Sequence, residues 1–439
     1  MAIKVGMVSL GCAKNQVDGE MLMANLKNAG FELCDDAALA DVAIVNTCGF
    51  IDSAKQESID EILELATLKK EGRIKKIVVT GCLAERYREE IHKELPEVDG
   101  VFGIGANADI AACIESAMND FTESFPEKSK MPLCGERELS TPSYFAYIKI
   151  AEGCDNKCTY CAIPMIRGCG SRTMESIEEE ARGLVENGAK ELILIAQDTT
   201  RYGIDLYGEY SLAKLMRRLC KIDGLKWLRV LYCYPDALTD ELLETMAEEE
   251  KIVKYIDLPL QHASARVLKR MNRTGDRESL TALMKKIREK IPGVTLRTTL
   301  ITGFPGETEE EFTELAEFVK DIEFERLGCF AYSQEEGTPA ALMPDQIDDE
   351  VKNHRAEIIM ESQMNIMDRL GEKQVGGDIT VLTEGFDRYA ECWFGRSAMD
   401  APDIDGKVFF SAETKPYYGE MVTVHVDEAI DGDLFGTRV

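Results

Sequence analysis

No stretch of this sequence is apolar for long enough to cross a membrane as a helix. Its first residues, 1–10, enter a strand pattern without a secretory cleavage site. These two absences predict a cytoplasmic protein with no membrane partner. In that compartment clustered cysteines bind metals or catalyse reactions more often than they form disulfides, so the 14 cysteines direct attention to metal chemistry.

Positive charge is scarce. Lys and Arg number 51 against 80 Asp and Glu, which gives a net charge of −29 at pH 7. Such a chain repels phosphate backbones unless it carries a local basic patch, and its favoured macromolecular partner is basic. Acidity that serves solubility alone is equally compatible with this composition.

The loop 152–164 carries the clearest chemical signal, directly after a predicted strand at 144–151. Cys154, Cys158 and Cys161 stand in a CxxxCxxC spacing, so all three thiolates can face one soft metal centre. A 4Fe–4S cluster usually takes four cysteines, and three leave one iron open to a substrate. A zinc site would need a second CxxC or CxxH pair, and the nearby Cys169 is wrongly spaced for it. Three buried structural cysteines are the remaining alternative.

Residues 1–135 predict a doubly wound parallel sheet. Buried strands at 4–10, 42–46 and 76–80 alternate with helices near 16–28 and 53–70, the rhythm of βα units. A cysteine follows each strand, namely Cys12, Cys48 and Cys82. Because ligands of open α/β sheets bind at the carboxyl ends of the strands, we expect the three thiols to meet and hold a second cluster. Three structural cysteines at equivalent positions are the alternative.

Residues 140–370 repeat the βα unit six times, which predicts a partial barrel of parallel strands with outer helices. Its functional face is expected at the carboxyl ends of the strands, where we place Gln197, Asp198, Tyr232, Tyr234, Gln261, His262, Arg297 and Tyr332. His262 is one of four histidines, and a lone histidine is more often structural than catalytic. For Arg297 two interpretations stay open, contact with a ligand carboxylate and a salt bridge within the barrel.

Residues 373–439 change to short strands at 378–384, 390–394, 406–410 and 421–426, separated by turn residues. This pattern predicts a small antiparallel β-barrel of the oligonucleotide-binding type. Acidic residues dominate it, with clusters at 400–405 and 427–433. RNA binding through such a surface is disfavoured.

The cysteine loop resembles that of the radical S-adenosylmethionine (SAM) enzymes. The phrases 10–15, 46–50 and 80–82 resemble the N-terminal domain of the methylthiotransferases within that superfamily, and the last segment resembles their TRAM domain. The resemblance covers nearly the whole chain. It implies two 4Fe–4S clusters, one that cleaves SAM on Cys154, Cys158 and Cys161 and an auxiliary one on Cys12, Cys48 and Cys82. SAM contacts are expected at Tyr160, Gln197, Arg297 and Gly303.

Two branches of the methylthiotransferases share this architecture. One modifies an adenosine in transfer RNA, and the other modifies the β-carbon of an aspartate in protein S twelve of the small ribosomal subunit. The phrases 162–164, 196–203 and 396–406 resemble the second branch, and the acidic barrel agrees because ribosomal proteins are commonly basic. Transfer RNA modification is the alternative activity. A non-catalytic iron–sulfur protein that binds ribosomes or nucleic acid is the alternative outside catalysis.

The mechanism implied by the resemblance uses SAM twice, once as a methyl donor and once as the source of a radical that removes hydrogen from the aspartate β-carbon. Hydrogen abstraction from an unactivated C–H bond is beyond acid–base chemistry at neutral pH and needs a cofactor. The expected partners are therefore SAM, an external electron donor, a sulfur donor and the ribosomal protein.

Overall fold

The structure of the protein is a computed structural model and describes residues 2–439. Its N-terminal part is a parallel sheet of six strands, which are β1 (Lys4–Ser9), β2 (Glu32–Cys34), β3 (Val42–Thr47), β4 (Lys76–Gly81), β5 (Gly100–Phe102) and β6 (Thr122–Ser124). The helices of this part are α1 (Ala13–Asn28), α2 (Asp52–Lys70), α3 (Cys82–Arg86), α4 (Arg88–Glu94) and α5 (Ile110–Ala117).

The sheet has the strand order β2-β1-β3-β4-β5-β6, and every neighbouring pair is parallel. One apolar cluster places α1 and α5 on one face, and a second places α2, α3 and α4 on the other. Helices on both faces bury β3 along its whole length, which explains why its first four residues are all apolar. The predicted doubly wound sheet is confirmed, and three short strands at 32–34, 100–102 and 122–124 are added to it.

The middle part is a partial barrel of parallel strands. Its strands and the small ladder at its mouth are β7 (Phe145–Lys149), β8 (Ala151–Glu152), β9 (Gly170–Ser171), β10 (Glu191–Ile195), β11 (Trp227–Val230), β12 (Tyr255–Asp257), β13 (Thr295–Thr302) and β14 (Arg326–Ala331). The helices are α6 (Ile163–Ile166), α7 (Met174–Glu186), α8 (Ile204–Tyr207), α9 (Leu212–Leu219), α10 (Asp240–Glu248), α11 (Ala265–Arg270), α12 (Arg277–Lys290), α13 (Glu309–Ile322) and α14 (Asp349–Glu372).

Six parallel barrel strands were predicted, and six are present in chain order. They form two three-stranded sheets, β7-β10-β11 and β12-β13-β14. An isolated β-bridge between Leu228 of β11 and Ile252, just before β12, connects the two sheets. One large apolar core lies between these sheets and the outer helices. Thr308 and Glu311 form a capping box at the start of α13.

The C-terminal part is a closed barrel of five strands, which are β15 (Asp378–Asp387), β16 (Cys392–Ser397), β17 (Val408–Ser411), β18 (Met421–Ile430) and β19 (Asp433–Arg438). The sequence reading missed β19, which pairs antiparallel with β18 and parallel with β17, so the barrel is not wholly antiparallel. Asp431 and Gly432 form the two-residue turn between β18 and β19, and both have positive φ. Asp-Gly between two strand patterns is a strong hairpin signal that could have located β19.

The C-terminal barrel covers the amino-terminal end of the partial barrel. Glu191, the first residue of β10, is fully buried and pairs with Arg229 and with Arg396 of the C-terminal barrel, each at 2.7 Å. Arg297 lies near the same end and pairs with Asp257 at 2.8 Å and Asp405 at 3.6 Å. The prediction that Arg297 lies at the functional end is therefore wrong, because it is the third residue of the eight-residue strand β13.

The acidic cluster expected at 400–405 is largely internal. Asp400 is buried and pairs with Arg326 at 2.5 Å, and Asp405 accepts a hydrogen bond from the Tyr255 hydroxyl at 2.6 Å. Only Asp403 of that group is exposed. The prediction of an exposed acidic surface thus fails here, whereas Asp427, Glu428 and Asp431 are exposed in the second cluster.

The three parts meet in one apolar cluster that contains Val17 and Met21 of α1, Trp227 of β11, and Leu382 and Ala401 of the C-terminal barrel. Buried ion pairs also fix the N-terminal sheet to the partial barrel, since Arg137 of the connecting segment pairs with Glu20 of α1 at 2.6 Å and with Glu180 of α7 at 2.5 Å. Among residues 2–439 no helix is both long and apolar enough to span a bilayer.

Candidate active site

A chamber of about 580 Å³ lies between the N-terminal sheet and the carboxyl ends of the barrel strands. Both cysteine triads line it, namely Cys12, Cys48 and Cys82 from the N-terminal sheet and Cys154, Cys158 and Cys161 from the middle part. The structure therefore brings together the two sets of predicted ligands that the sequence keeps apart.

The N-terminal triad lies where the strand order of the sheet reverses. Cys12 follows β1 and Cys48 follows β3, the two strands at the topological switch point where such sheets bind ligands. The Asn15 side chain ties their loops together by donating to the carbonyl oxygens of Leu10 at 2.9 Å and Thr47 at 3.2 Å. Burial raises the pKa of Cys48 to about 12, and the neighbouring Cys82 and Cys12 thiols add to the rise, so the three sulfurs interact.

Gly11 allows the loops of the N-terminal triad to touch. Its φ is +88°, and a Cβ built there would lie 2.7 Å from the Cβ of Cys48. A side chain at this position would push Cys48 away and would also have to adopt the left-handed conformation. The glycine before Cys12 is thus required by the close approach of two ligand loops.

The CxxxCxxC loop of the middle part is closed at its base by the β8–β9 ladder. Gly153 adopts a φ of +74°, and a Cβ there would overlap the carbonyl oxygen of Gly168, so no other residue fits. The Asn272 side chain donates to the carbonyl oxygen of Lys157 at 3.0 Å, which fixes the middle of the loop to the segment after α11. Burial raises the pKa of Cys161 to about 12, and the thiols of Cys158 and Cys154 contribute.

Neither triad has the geometry of a site for one ion. Among residues 2–439 no three cysteine, histidine or carboxylate side chains converge closely enough to bind a single metal ion. The cysteines of a 4Fe–4S cluster each bind a different iron, so their sulfurs stand further apart than the ligands of one zinc ion.

A buried network of four charged side chains connects the two triads. Arg167 follows α6 and donates to the Cys82 sulfur at 3.1 Å, to Asn15 at 3.1 Å and to Asp18 at 2.5 Å. Lys149 pairs with the same Asp18 and with Glu152 at 2.8 Å, two residues before Cys154. We call Asp18, Lys149, Glu152 and Arg167 the bridging network. It holds the N-terminal sheet and the cysteine loop in one fixed arrangement.

The chamber walls carry cations and no carboxylate. Lys14, Arg167 and Arg273 line it, whereas no Asp or Glu of the described chain is among the lining residues. Arg273 lies 3.8 Å from the Cys158 sulfur and donates to the Pro259 carbonyl oxygen at 2.6 Å. In a protein of net charge −29 this lining is a local reversal of sign. It favours anionic groups inside the chamber.

Two lining residues hold conformations that side chains seldom adopt. Tyr232, after β11, has a φ of 62°, and Gln261, after β12, has a φ of 72°. The amide of Tyr232 donates to Asp257 at 2.9 Å, and that of Gln261 donates to the Thr299 carbonyl oxygen at 2.9 Å. Such conformations persist where the surroundings enforce them, and they concentrate at functional sites.

Of the four residues expected to contact SAM, two line the chamber. Tyr160 and Gln197 do so, and the Gln197 side-chain oxygen is buried with no hydrogen-bond partner among residues 2–439. Gly303 lies outside the chamber lining, packs against Lys352, and donates its amide hydrogen to Glu307 at 3.0 Å. Arg297 lies at the opposite end of the barrel, as described above.

The other polar residues predicted at the carboxyl ends divide into two groups. Tyr232, Tyr234 and Gln261 line the chamber together with Gln197. His262 is fully buried, accepts from the Ser264 amide at 3.0 Å and lies 3.3 Å from Glu307, which is a structural arrangement. Asp198 accepts from the Asn156 side chain at 2.7 Å, next to the cysteine loop.

A second space of about 810 Å³, the outer cleft, adjoins the chamber. Tyr160, Gln261 and Phe330 line both, and Tyr332 and Lys352 line the outer cleft alone. Sequence reasoning missed Lys14, Arg167, Arg273, Phe330 and Lys352 as lining residues. Only Lys14 carried a signal, since it stands two residues after a predicted ligand.

Three family models match the chain in sequence. The uncharacterized protein family UPF0004 matches residues 4–103, the Radical SAM superfamily matches 148–319, and the TRAM domain matches 375–439. Among solved structures, the radical SAM methyltransferase TsrM from Kitasatospora setae is similar in fold in two states. One has a TM-score of 0.59 at 16% identity and covers 78% of this chain and 77% of that one. The other has a TM-score of 0.56 at 15% identity, over 88% and 79%.

The parallel barrel, its CxxxCxxC loop and the matched domains define a radical SAM enzyme of the methylthiotransferase type. Curated relatives narrow this class. The ribosomal protein uS12 methylthiotransferase RimO of Desulforamulus reducens is 48% identical over 98% of both chains. The protein of the same name from Lachnoclostridium phytofermentans is 48% identical over 99% of this chain and 100% of that one. The chain belongs to the RimO family.

Family membership implies SAM and 4Fe–4S clusters, and the residues present fit them. Each triad offers three thiols to the chamber, so a 4Fe–4S cluster held by either triad would have one iron without a cysteine. Burial raises the pKa of Cys154 to about 11, and a thiol gives up its proton when it binds a metal. The unpartnered Gln197 oxygen accepts hydrogen bonds and so suits the ammonium group of SAM.

Proposed function

We propose that this protein adds a methylthio group to the β-carbon of an aspartate in ribosomal protein uS12, the S twelve protein of the small subunit. The observation that carries the proposal is that both cysteine triads face one chamber. A sulfur group held on one wall can then reach a carbon activated from the other without leaving the protein. The relatives named above support the choice of substrate.

The six cysteines have separate assignments within this proposal. Cys154, Cys158 and Cys161 hold the cluster that binds SAM, and Cys12, Cys48 and Cys82 hold the auxiliary cluster. When bound, these clusters and SAM supply the radical, the methyl group and the transferred sulfur. The transfer also requires an external electron donor and a sulfur donor.

The protein's own residues position and enclose the reactants. The bridging network fixes the distance between the triads, and the β8–β9 ladder closes the base of the SAM-side loop. Phe330 and Tyr160 line both the chamber and the outer cleft, so a substrate segment can enter the chamber from the cleft past these two rings. The outer cleft is large enough for side chains of an inserted loop.

The test is mass spectrometry of purified uS12 after anaerobic incubation with the reconstituted enzyme, SAM, sulfide and a reductant. We expect one aspartate to gain a methylthio group in place of a hydrogen. Transfer RNA offered in the same reaction should remain unmodified. If the enzyme modifies transfer RNA and leaves uS12 unchanged, the substrate assignment fails while the radical chemistry stands.

A further inference from the structure

Lys14 is a buried cation that lacks the partner such a group usually has. It is 6% exposed, and its ammonium lies over the ring of Tyr232, 3.2 Å from the ring centre. Among residues 2–439 it forms no ion pair with a carboxylate, and the charged groups that act most strongly on it include none. Buried lysines are normally paired, so an unpaired one that lines a chamber indicates an anionic ligand.

The other two cations of the chamber are already accounted for. Arg167 contacts the Cys82 sulfur and Asp18, and Arg273 contacts the Cys158 sulfur and a carbonyl oxygen. Each therefore serves a cysteine triad. Lys14 donates no hydrogen bond to a sulfur in the described chain, although Cys12, two residues away, is among the groups that act on its charge. Its charge is available to a group that enters the chamber.

The position of Lys14 in its helix supports the same conclusion. It is the second residue of the 16-residue helix α1, whose first turn contains no acidic residue. A helix N-terminus favours anions and disfavours a lysine, because unpaired amide hydrogens already give it partial positive charge. Lys14 and the N-terminus of α1 are both positive, so they stabilise each other's presence only when an anion lies between them and attracts both. The strained Tyr232 holds its ring under the ammonium.

We propose that Lys14 binds the side-chain carboxylate of the substrate aspartate, an inference that rests on the proposed function. The carboxylate carbon is bonded directly to the β-carbon that reacts. A cation that holds the carboxylate thus also fixes the reacting carbon between the two triads. It also distinguishes aspartate from asparagine, which has the same shape without the charge. Lys14 is in this sense a specificity-determining residue.

The test is equilibrium binding to the anaerobically reconstituted enzyme, with SAM and without reductant, so that no turnover occurs. The probes are fluorescently labelled uS12 and the same protein with the target aspartate changed to asparagine. For the unmodified enzyme we expect the aspartate form to bind roughly ten- to a hundredfold more tightly, as a charge-assisted contact provides. Lys14→Gln and Lys14→Met should bind the aspartate and asparagine forms with about equal affinity. Lys14→Arg should keep most of the preference for the aspartate form. Lys27→Gln, at an exposed lysine of the same helix, is the matched control.

Each outcome decides the matter. Failure of the unmodified enzyme to bind either form counts against uS12 as substrate, and so against the proposed function. An unchanged aspartate preference in Lys14→Gln and Lys14→Met overturns the assignment of Lys14 alone. Loss of cluster iron in both of these variants, with iron retained in Lys27→Gln, also overturns it, because the ammonium would then serve the auxiliary cluster.

Discussion

The bridging network gives the sharpest prediction for stability. Its two carboxylates, Asp18 and Glu152, balance its two cations, Lys149 and Arg167, and each of the four side chains is at most 3% exposed. Arg167→Gln leaves one uncompensated negative charge in the interior. Breaking a buried ion pair by removing one partner costs about 3–5 kcal/mol. That is a large part of the roughly 5–15 kcal/mol by which most proteins are stable.

The same arithmetic predicts compensation. Asp18→Asn leaves one excess positive charge, whereas Asp18→Asn combined with Arg167→Gln restores neutrality. We therefore expect the double variant to lose less stability than the sum of the single losses, with a coupling of about 0.5–3 kcal/mol. Arg277→Gln, which removes exposed pairs with Glu317 and Asp321, should cost no more than about 1 kcal/mol and serves as the control.

The assay is anaerobic urea unfolding of protein prepared without clusters, followed by tryptophan fluorescence. Trp227 belongs to the apolar cluster that contains Val17 and Met21, so its emission reports the contact of α1 with the barrel. Trp393 lies in the C-terminal barrel and reports that part separately. Additive losses in the double variant would refute the reasoning, since they would mean that charge balance does not hold these parts together.

Four further predictions concern the clusters, the domain contacts and the acidic surface. Reconstituted protein should carry roughly eight iron atoms, and the variant in which Cys154, Cys158 and Cys161 are all changed to Ala should carry about half as many. An iron content near four in the unmodified protein would show that there is no auxiliary cluster. Cys158→Ala should abolish formation of 5′-deoxyadenosine, whereas Cys48→Ala should retain some of it and lose methylthio transfer; transfer at the wild-type rate in Cys48→Ala would contradict the assignment. Although burial raises the pKa of Glu191, Arg396 and Arg229 lower it more and hold it below its ordinary value. The ionised carboxylate therefore stabilises the folded protein at neutral pH, and this contribution is lost as the pH falls below about 4.3. Glu191→Gln should reduce the loss of stability that is measured at acid pH. Replacing Asp427, Glu428 and Asp431 with Asn or Gln should slow the association of basic uS12, and the effect should be largest at low salt. An association rate that changes neither with these substitutions nor with salt would exclude electrostatic steering by this surface.

The sequence predicted well which cysteines lie together, because their positions follow from local rules. A cysteine after each of three strands must lie at one edge of a parallel sheet, and Cys12, Cys48 and Cys82 do. Arg297 illustrates where such rules end. The alternation of side chains along a strand predicts that the Arg297 side chain points into the barrel. Whether it lies near the amino or the carboxyl end of the barrel depends on the pairing of β13 with β12, where Arg297 is opposite Asp257, and on the packing of the C-terminal barrel.

Contacts between distant segments could not be predicted for the same reason. Nothing in the local sequence of Arg167 shows that its guanidinium crosses to Cys82, because that contact depends on how two separately folded parts dock. Composition alone predicts Asp400 and Asp405 at the surface, whereas docking of the C-terminal barrel makes them internal partners of Arg326 and Tyr255. Strand β19 is different, since the Asp431–Gly432 turn was visible and the strand could have been predicted.

The distribution of charge connects these observations to the reaction. The chain is strongly acidic overall, yet the charged residues of the described chain that line the chamber between the triads are all cations. Two of those cations lie against cysteine sulfurs, where they would offset the negative charge of thiolates that hold a cluster. A substrate carboxylate must enter the same space, and without a further cation it would be repelled by those thiolates. Lys14 supplies that charge from the helix that also carries Cys12 at its start, so the auxiliary site and the substrate anchor are positioned by one element.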